Sequence, residues 1–442
     1  MMTLDLKDKQ EKHSPISLTK ILFITLFMFS QFCYAQNYVY IDTNTNDFSI
    51  GTITRYYGSN SPIHYMKTSD RTGKFLIFWN QILGYRTFPF SGYNVTDFTV
   101  LGDTAYICGE EPDGKGFYAW VDLAVNQFDW QFHIYSLYNS GAYITDLRRI
   151  RVFKINNKPQ ILLIGNYVNQ NTNIPAVVHV KNQNECQVAY TGGEYFDDIV
   201  VLDNYIVTVA RKGYDNPTNS PHFLRVLHKN NFTLSDTLFH KSYDWQRRSA
   251  KDRILLQDIV YNKFVSVYHM DAALYVNTFE VGVSGILQCH RYHTMPAVIT
   301  DPIRDVEYNS YDATLMVIHS SDSVGIASKF RYTPADTLSW IWSRHPDMSN
   351  YCAGCYPLLM STAKMSSNTN MVSGILHNKM VIWKTNNECV IPERYDLSNK
   401  ATFIQYRITM PVILEPFILP DTTLNSHLNQ TPFLEVCNRG KN

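Results

Sequence analysis

Five segments of this chain open on an Asp followed by an apolar residue and then repeat one short grammar. They begin at Asp97-Phe98, Asp146-Leu147, Asp198-Ile199, Asp258-Ile259 and Asp305-Val306, at intervals of 49, 52, 60 and 47 residues. In each, a run rich in Val, Ile and Phe leads to a polar break: Gly102-Asp103, Asn156-Asn157-Lys158, Asp203-Asn204, Asn262-Lys263 or Ser310-Tyr311-Asp312. A second apolar run follows the break. A third comes after a looser connection, from Gly116, Ala176, Phe223 or Leu274, and a fourth starts near Phe128 and Leu338. Weaker copies from Ile63 and Leu358 bring the total to about seven units. Short apolar runs split by Asn, Asp and Gly read as antiparallel hairpins, and long helical periodicity with caps is absent.

A four-stranded unit repeated at this period predicts an all-β chain, a single β-propeller of about seven four-stranded antiparallel blades. One twisted sheet has two apolar faces and cannot stand alone. Stacking each face on the next blade buries both, and closing the circle removes the exposed ends. The first two runs of each unit, nearest the centre and covered on both sides, are therefore nearly continuous apolar segments. The repeated Asp is expected at the entry of an innermost strand, accepting backbone N–H bonds and holding the turn into the central channel. The alternative is a ring of carboxylates binding a cation. Asn37–Tyr57 and Ala401–Met410 are both strand-like, and either could close the circle by completing the other end's blade. The domain expectation is a propeller over residues 36–410, with residues 411–442 a loosely ordered tail rich in Pro, Asn and Thr.

The unit TDFTVLGDTAYICGEEPDGKGFYAWVDL, residues 96–123, resembles the blades of uncharacterised exported β-propeller proteins of gut and oral bacteria. The resemblance covers residues 60–385 as a pattern and implies a fold only, because propellers host unrelated functions. Gly-His…Trp-Asp pairing, kelch double glycines and a clean sialidase Asp-box are missing. TSDRTGKF at residues 68–75 only approximates the last.

The amino terminus reads as a signal peptide over residues 1–35. The short apolar run Ile21–Phe32 follows Lys20, and Cys33-Tyr34-Ala35 sets cleavage after Ala35. That predicts export to the periplasm, cell surface or medium, with no transmembrane segment in the mature chain. Of 39 basic and 39 acidic side chains, four and three lie in the leader, so the mature chain is nearly neutral. It has no electrostatic footprint for nucleic acid or for an anionic membrane surface. Seven of the eight cysteines follow the cleavage point, an odd number for a disulfide scaffold. Cys108, inside an apolar run, reads as a small buried hydrophobe.

Motifs that carry chemistry are sparse. The CAGC at Cys352–Cys355 lacks a helix to depress a thiol pKa and a second CxxC for zinc, and reads as a loop disulfide or two inert thiols. A Cys389–Cys437 disulfide would tie down the tail. Asp42–Asp47 starts like a calcium loop but lacks its Gly and its Glu, and reads as a polar turn. Trp130, Trp245, Trp340 and Trp342 are expected as packing between blades, with sugar stacking the alternative. Asp103-Thr104, Asp236-Thr237, Asp322-Ser323, Asp336-Thr337 and Asp421-Thr422 resemble O-glycosylation acceptors but also fall where turns meet strands. No H-E-x-x-H, G-x-S-x-G or P-loop occurs. No catalytic, cofactor-binding or metal-binding residue is assigned, and no cofactor. The expectation is a binding or scaffolding protein presenting one propeller face to a protein or glycan partner. The runner-up is a polysaccharide-acting enzyme, a glycoside hydrolase or lyase, with carboxylates gathered at the channel mouth.

Overall fold

The computed structural model describes residues 38–41, 49–55, 63–68, 73–79, 82–87, 92–124, 131–139, 141–169, 172–182, 185–190, 194–212, 222–231, 234–239, 254–270, 273–285, 287–296, 303–321, 324–333, 337–346, 356–366, 369–386, 394–396 and 404–406. The chain divides into Met1–Tyr38, almost wholly outside the described residues, and a main unit, Val39–Asn442. Among the described residues there is no helix.

The strands form seven sheets. Strand β1 (Tyr38–Ile41) belongs to the last of them. The first sheet holds β2 (Ser49–Arg55), β3 (Ile63–Thr68), β4 (Gly73–Trp79) and β5 (Ile82–Thr87). The second holds β6 (Asn94–Leu101), β7 (Thr104–Glu110), β8 (Gly116–Asp122) and β9 (His133–Ser136). The third holds a two-residue β10 (Tyr138–Asn139), then β11 (Ala142–Ile155), β12 (Lys158–Asn169), β13 (Thr172–Asn182) and β14 (Glu185–Tyr190). The fourth holds β15 (Glu194–Val201), β16 (Tyr205–Lys212), β17 (His222–His228) and β18 (Leu234–Phe239). The fifth starts with β19 (Leu255–Asp258), β20 (Lys263–Met270), β21 (Ala273–Val281) and β22 (Leu287–Pro296). The sixth starts with β23 (Asp305–Asn309), β24 (Thr314–Ser321), β25 (Val324–Thr333) and β26 (Thr337–Pro346). The seventh holds β27 (Leu358–Ser366), β28 (Thr369–Leu376) and β29 (Lys379–Asn386), with β1 beside β29. Short strands β30 (Arg394–Asp396) and β31 (Ile404–Tyr406) pair antiparallel with β26 and β22, as fifth strands of sheets six and five. Of the two terminal segments expected to complete a blade, Asn37–Tyr57 gives β1 to the last sheet and β2 to the first, and Ala401–Met410 adds β31 to sheet five.

Apart from the added β1, β30 and β31, each sheet is a meander whose strand order follows the chain, as the short polar breaks require. Asn156-Asn157 and His377-Asn378 carry positive φ at both central residues, the geometry of a tight hairpin turn. The copy read from Ile63 starts on a second strand, β3; its first strand is β2, which lies in the strand-like segment Asn37–Tyr57.

Adjacent sheets share apolar cores. Phe75, Phe98 and Phe117 join sheets one and two; Cys108, Leu147 and Leu163 join two and three. Leu162 and Ile206 join three and four, and Val207 and Phe264 join four and five. Val267 and Phe330 join five and six, and Ile318 and Leu359 join six and seven. Burial of one such Phe or Leu contributes about 1.5–3 kcal/mol. First strands follow one another in contact from β2 through β6, β11, β15, β19 and β23 to β27, and β27 touches β2 again. That last junction carries a buried polar cluster beside Met371 and Ile382, which share the Ser373 face of sheet seven. Thr52 Oγ1 and Thr54 Oγ1 lie 2.9 and 2.7 Å from Ser373 Oγ, Thr54 Oγ1 is 2.9 Å from His64 Nδ1, and Thr54 N donates to Ser361 Oγ at 3.0 Å. Burial pushes the His64 imidazole down to about 3, so it is neutral there.

Candidate functional site

The repeated Asp residues do more than hold turns. Asp97 and Asp198 each follow a β-bulge, between Val95 and Asp97 and between Phe196 and Asp198, which turns the carboxylate toward the neighbouring sheet. Asp97 Oδ2 accepts the Ile150 N–H of sheet three at 3.1 Å. Asp198 Oδ2 accepts the Leu256 N–H of sheet five at 2.9 Å. Asp305 Oδ2 accepts the Thr362 N–H of sheet seven at 3.0 Å, and the Ser361 hydroxyl. Each carboxylate thus ties its sheet to the next one along, and the device recurs at every second sheet from the second to the sixth.

The intervening sheets supply the opposite charge. Arg55 in β2 reaches Asp97 Oδ1 at 2.6 Å and Asp305 Oδ2 at 3.5 Å. Arg149 and Arg151 in β11 reach Asp198 Oδ1 at 3.3 and 3.4 Å, and Arg151 also reaches Asp97 Oδ2 at 3.5 Å. Three Asp and three Arg therefore balance in one buried layer. Burial opposes the Asp97 charge, but Arg55, Arg149, Arg151 and the Ile150 N–H overcome it and hold its carboxyl below the usual range. Burial likewise opposes the charge on Arg55 and Arg149, and the facing carboxylates raise both above the usual guanidinium value.

Asp146 and Asp258 do not join this layer. Asp146 sits at positive φ in the bulge between Thr145 and Arg149, half exposed and paired with Arg148. In sheet three the position facing Ile164 on β12 is taken by Arg149, three residues later. Asp258 ends β19, two residues past Leu256, the strand's bonded amide.

Next to this layer lies a cavity of about 570 Å³. All seven first strands line it: Arg55 of β2, Val100 of β6, Arg151 of β11, Val200 of β15, Asp258 of β19, Glu307 of β23 and Lys364 of β27. Burial pushes the Glu307 carboxyl up to about 7, against Lys364, with Asp305 and Asp258 adding to the rise. Burial also raises Asp258 above its usual range, with Lys364 opposing. The Asp258 side chain lines the cavity from an exposed position at its rim. On the face carrying the first-to-second turns stand Tyr261, 79% exposed and at φ 56°, and Tyr311, 60% exposed and lining the cavity.

Sequence reasoning found Asp97, Asp198 and Asp305 and missed Arg55, Arg149, Arg151, Glu307 and Lys364. A signal existed in DLRRIRVF: Arg149 and Arg151 interrupt a run that must be covered on both sides, which is costly unless the charges are paired. Cys108 is fully buried in β7 and burial raises its thiol. Trp342 is buried between sheets six and seven. Trp340 packs on the core between five and six and donates Nε1–H to Ser343 Oγ at 2.9 Å, so both fill a packing role. Trp130, Trp245, Asp42–Asp47, the CAGC, Cys389 and Cys437 lie outside the described residues.

No protein-family model matches the chain, and no curated protein matches it. Among solved structures it is similar to a mutant of AofleA from Arthrobotrys oligospora, at 10% identity and TM-score 0.45 over 84% of this chain and 93% of that one. It is similar to the WD40 domain of Toxoplasma gondii coronin, at 8% identity and TM-score 0.43 over 83% and 89%. It is also similar to the Dos1 propeller, at 10% identity and TM-score 0.40 over 73% and 75%.

Proposed function

We propose that the seven sheets make one closed seven-bladed β-propeller, exported after cleavage behind Ala35, that works as a binding protein with its ligand site at the mouth of the central cavity. One observation carries the reading: a single cavity draws lining residues from the first strand of every sheet. The return of contact from β27 to β2 and the place of β1 beside β29 support closure. The volume falls in the range of small-ligand and side-chain pockets, and the mixture of Arg, Lys, Asp and Glu supplies donors and acceptors of both signs.

Thermal-shift screening of the mature chain against short peptides and oligosaccharides tests the reading. A ligand class should raise the melting temperature of the wild type and leave a Glu307→Gln, Lys364→Ala double variant unmoved. Absence of any shift, or equal shifts in both proteins, refutes it. One observation favours a second reading, hydrolysis of polysaccharide: Glu307, poised near 7, shares the cavity with a second carboxylate, Asp258. New reducing ends released by the wild type, and lost in Glu307→Gln, would select the enzyme.

A further inference from the structure

We propose that the cavity receives one cationic group, the ammonium or guanidinium of a Lys or Arg side chain carried on the loop of a partner protein. This rests on the binding-protein reading and names its ligand.

The argument begins with charge. Asp97, Asp198 and Asp305 are balanced by Arg55, Arg149 and Arg151. Beyond those pairs, the described residues of the cavity lining are two carboxyls, Asp258 and Glu307, against one ammonium, Lys364. The Gln257 amide donates to Asp258 Oδ1 at 2.8 Å, which solvates that carboxylate without neutralising it. The excess carboxyl stands at the open side of the cavity, where Asp258 is exposed and Glu307 half-buried. A single cation can pair with both carboxyls there, whereas a phosphate or a nucleic-acid strand would be repelled by them.

The rim argues for a side chain presented by a protein rather than a free amine. Val260, Tyr261, Val283, Tyr311 and Tyr356 are the exposed large hydrophobic residues among those described. Four of the five belong to turns on one face of adjacent sheets. Val260 and Tyr261 join β19 to β20, Val283 joins β21 to β22, and Tyr311 joins β23 to β24. Val281 N donates to Asn262 O at 2.8 Å, which brings the two turns of sheet five together. Tyr261 stands three residues past Asp258, and Tyr311 four past Glu307, so the apolar patch borders the side of the cavity that carries the surplus charge. An apolar patch beside a polar pocket is the layout of a protein-binding surface with one anchoring side chain. Tyrosine faces also attract cations, so Tyr261 and Tyr311 suit the flanks of an entering ammonium or guanidinium.

The test is calorimetric titration of the full mature chain with the peptide acetyl-Gly-Leu-Lys-Leu-Gly-amide and with the same peptide carrying norleucine for lysine. The lysine peptide should bind at least tenfold more tightly. A Glu307→Gln, Asp258→Asn double variant, with neutral isosteres that keep the shape, should lose that preference, its folding checked by its melting curve. Tyr261→Ala with Tyr311→Ala should weaken the lysine peptide severalfold. Equal binding of the two peptides, undiminished binding by the double variant, or no binding at millimolar peptide overturns the proposal. A neutral oligosaccharide that binds wild type but not Glu307→Gln, Lys364→Ala would leave the binding-protein reading standing while refuting the cation. Silence from both probes would remove both.

Discussion

A carboxylate with two oxygens can serve two sheets, and this explains why the repeated Asp pays off at alternate sheets. In Asp198, Oδ1 takes the strand's own Ile199 N–H at 2.9 Å and Oδ2 takes the next sheet's amide. Asp305 does the same with Val306 at 3.1 Å. Asp residues at consecutive sheets would set like charges side by side, so the sheet between carries Arg149 and Arg151 instead. Asp198→Asn should therefore cost more than a surface change. It leaves two guanidinium groups underpaired in a buried layer, and breaking such a pair costs about 3–5 kcal/mol. Urea denaturation with an unchanged slope and a lowered midpoint is the expected outcome. Glu307 gives a prediction of opposite sign. Its folded value, about 7, stands above its ordinary 4.5, so the fold binds this proton more tightly than the unfolded chain does. Its stabilising contribution is present below about pH 4.5 and is lost as pH rises through 7. Glu307→Gln should therefore be more stable than wild type at pH 8, by about 1–3 kcal/mol after discounting for partial exposure, and the gap should close below pH 5. Denaturation midpoints of both proteins across that range measure it.

Between sheets, close approach sets its own limits. Gly325 in β25 donates its N–H to Pro357 O at 3.1 Å, and a Cβ on it would fall 2.1 Å from Leu359 N in the seventh sheet. Backbone cannot yield as a flexible side chain does. Gly325→Ala should push sheet seven away from sheet six and lower the melting temperature by several degrees or more, while Gly102→Ala, whose Cβ would meet nothing within 4 Å, should act only through its positive φ of 60°. Elements of this kind also mark what the sequence made legible. The hairpin breaks, the third strands from Gly116, Ala176, Phe223 and Leu274, and the unit length were readable because each depends on local residues. The register of Asp146 and Asp258 was not, because a bulge such as that between Thr145 and Arg149 adds residues to one strand without a signature in its composition. Strands β30 and β31 pair with sheets five and six in reverse of chain order, a choice made by distant partners. The Arg–Asp layer was half visible for the same reason: the Asp residues repeat in sequence, but their guanidinium partners meet them only in space.

At the scale of the whole main unit, six junctions between sheets rest on apolar clusters, and the seventh adds buried hydroxyls and a neutral imidazole to apolar side chains such as Met371 and Ile382. Hydrophobic contact is strong and undirected, whereas hydrogen bonds fix a geometry. A junction joining strands more than three hundred residues apart gains from the second property, since it forms only when the preceding sheets have stacked in register. The cavity, its balanced layer and the surplus carboxylate all depend on that junction, because Arg55 and Lys364 come from its two sides. The most direct measurement is an engineered cross-link across it. Thr52 and Ser373 have side-chain oxygens 2.9 Å apart. In a Thr52→Cys, Ser373→Cys variant, mild oxidation of the folded monomer should give an intramolecular disulfide, identified by mass spectrometry of the joined peptides, and should raise the melting temperature. A folded monomer that resists this bridge, or joins these cysteines only between molecules, would contradict a closed ring and the cavity at its centre.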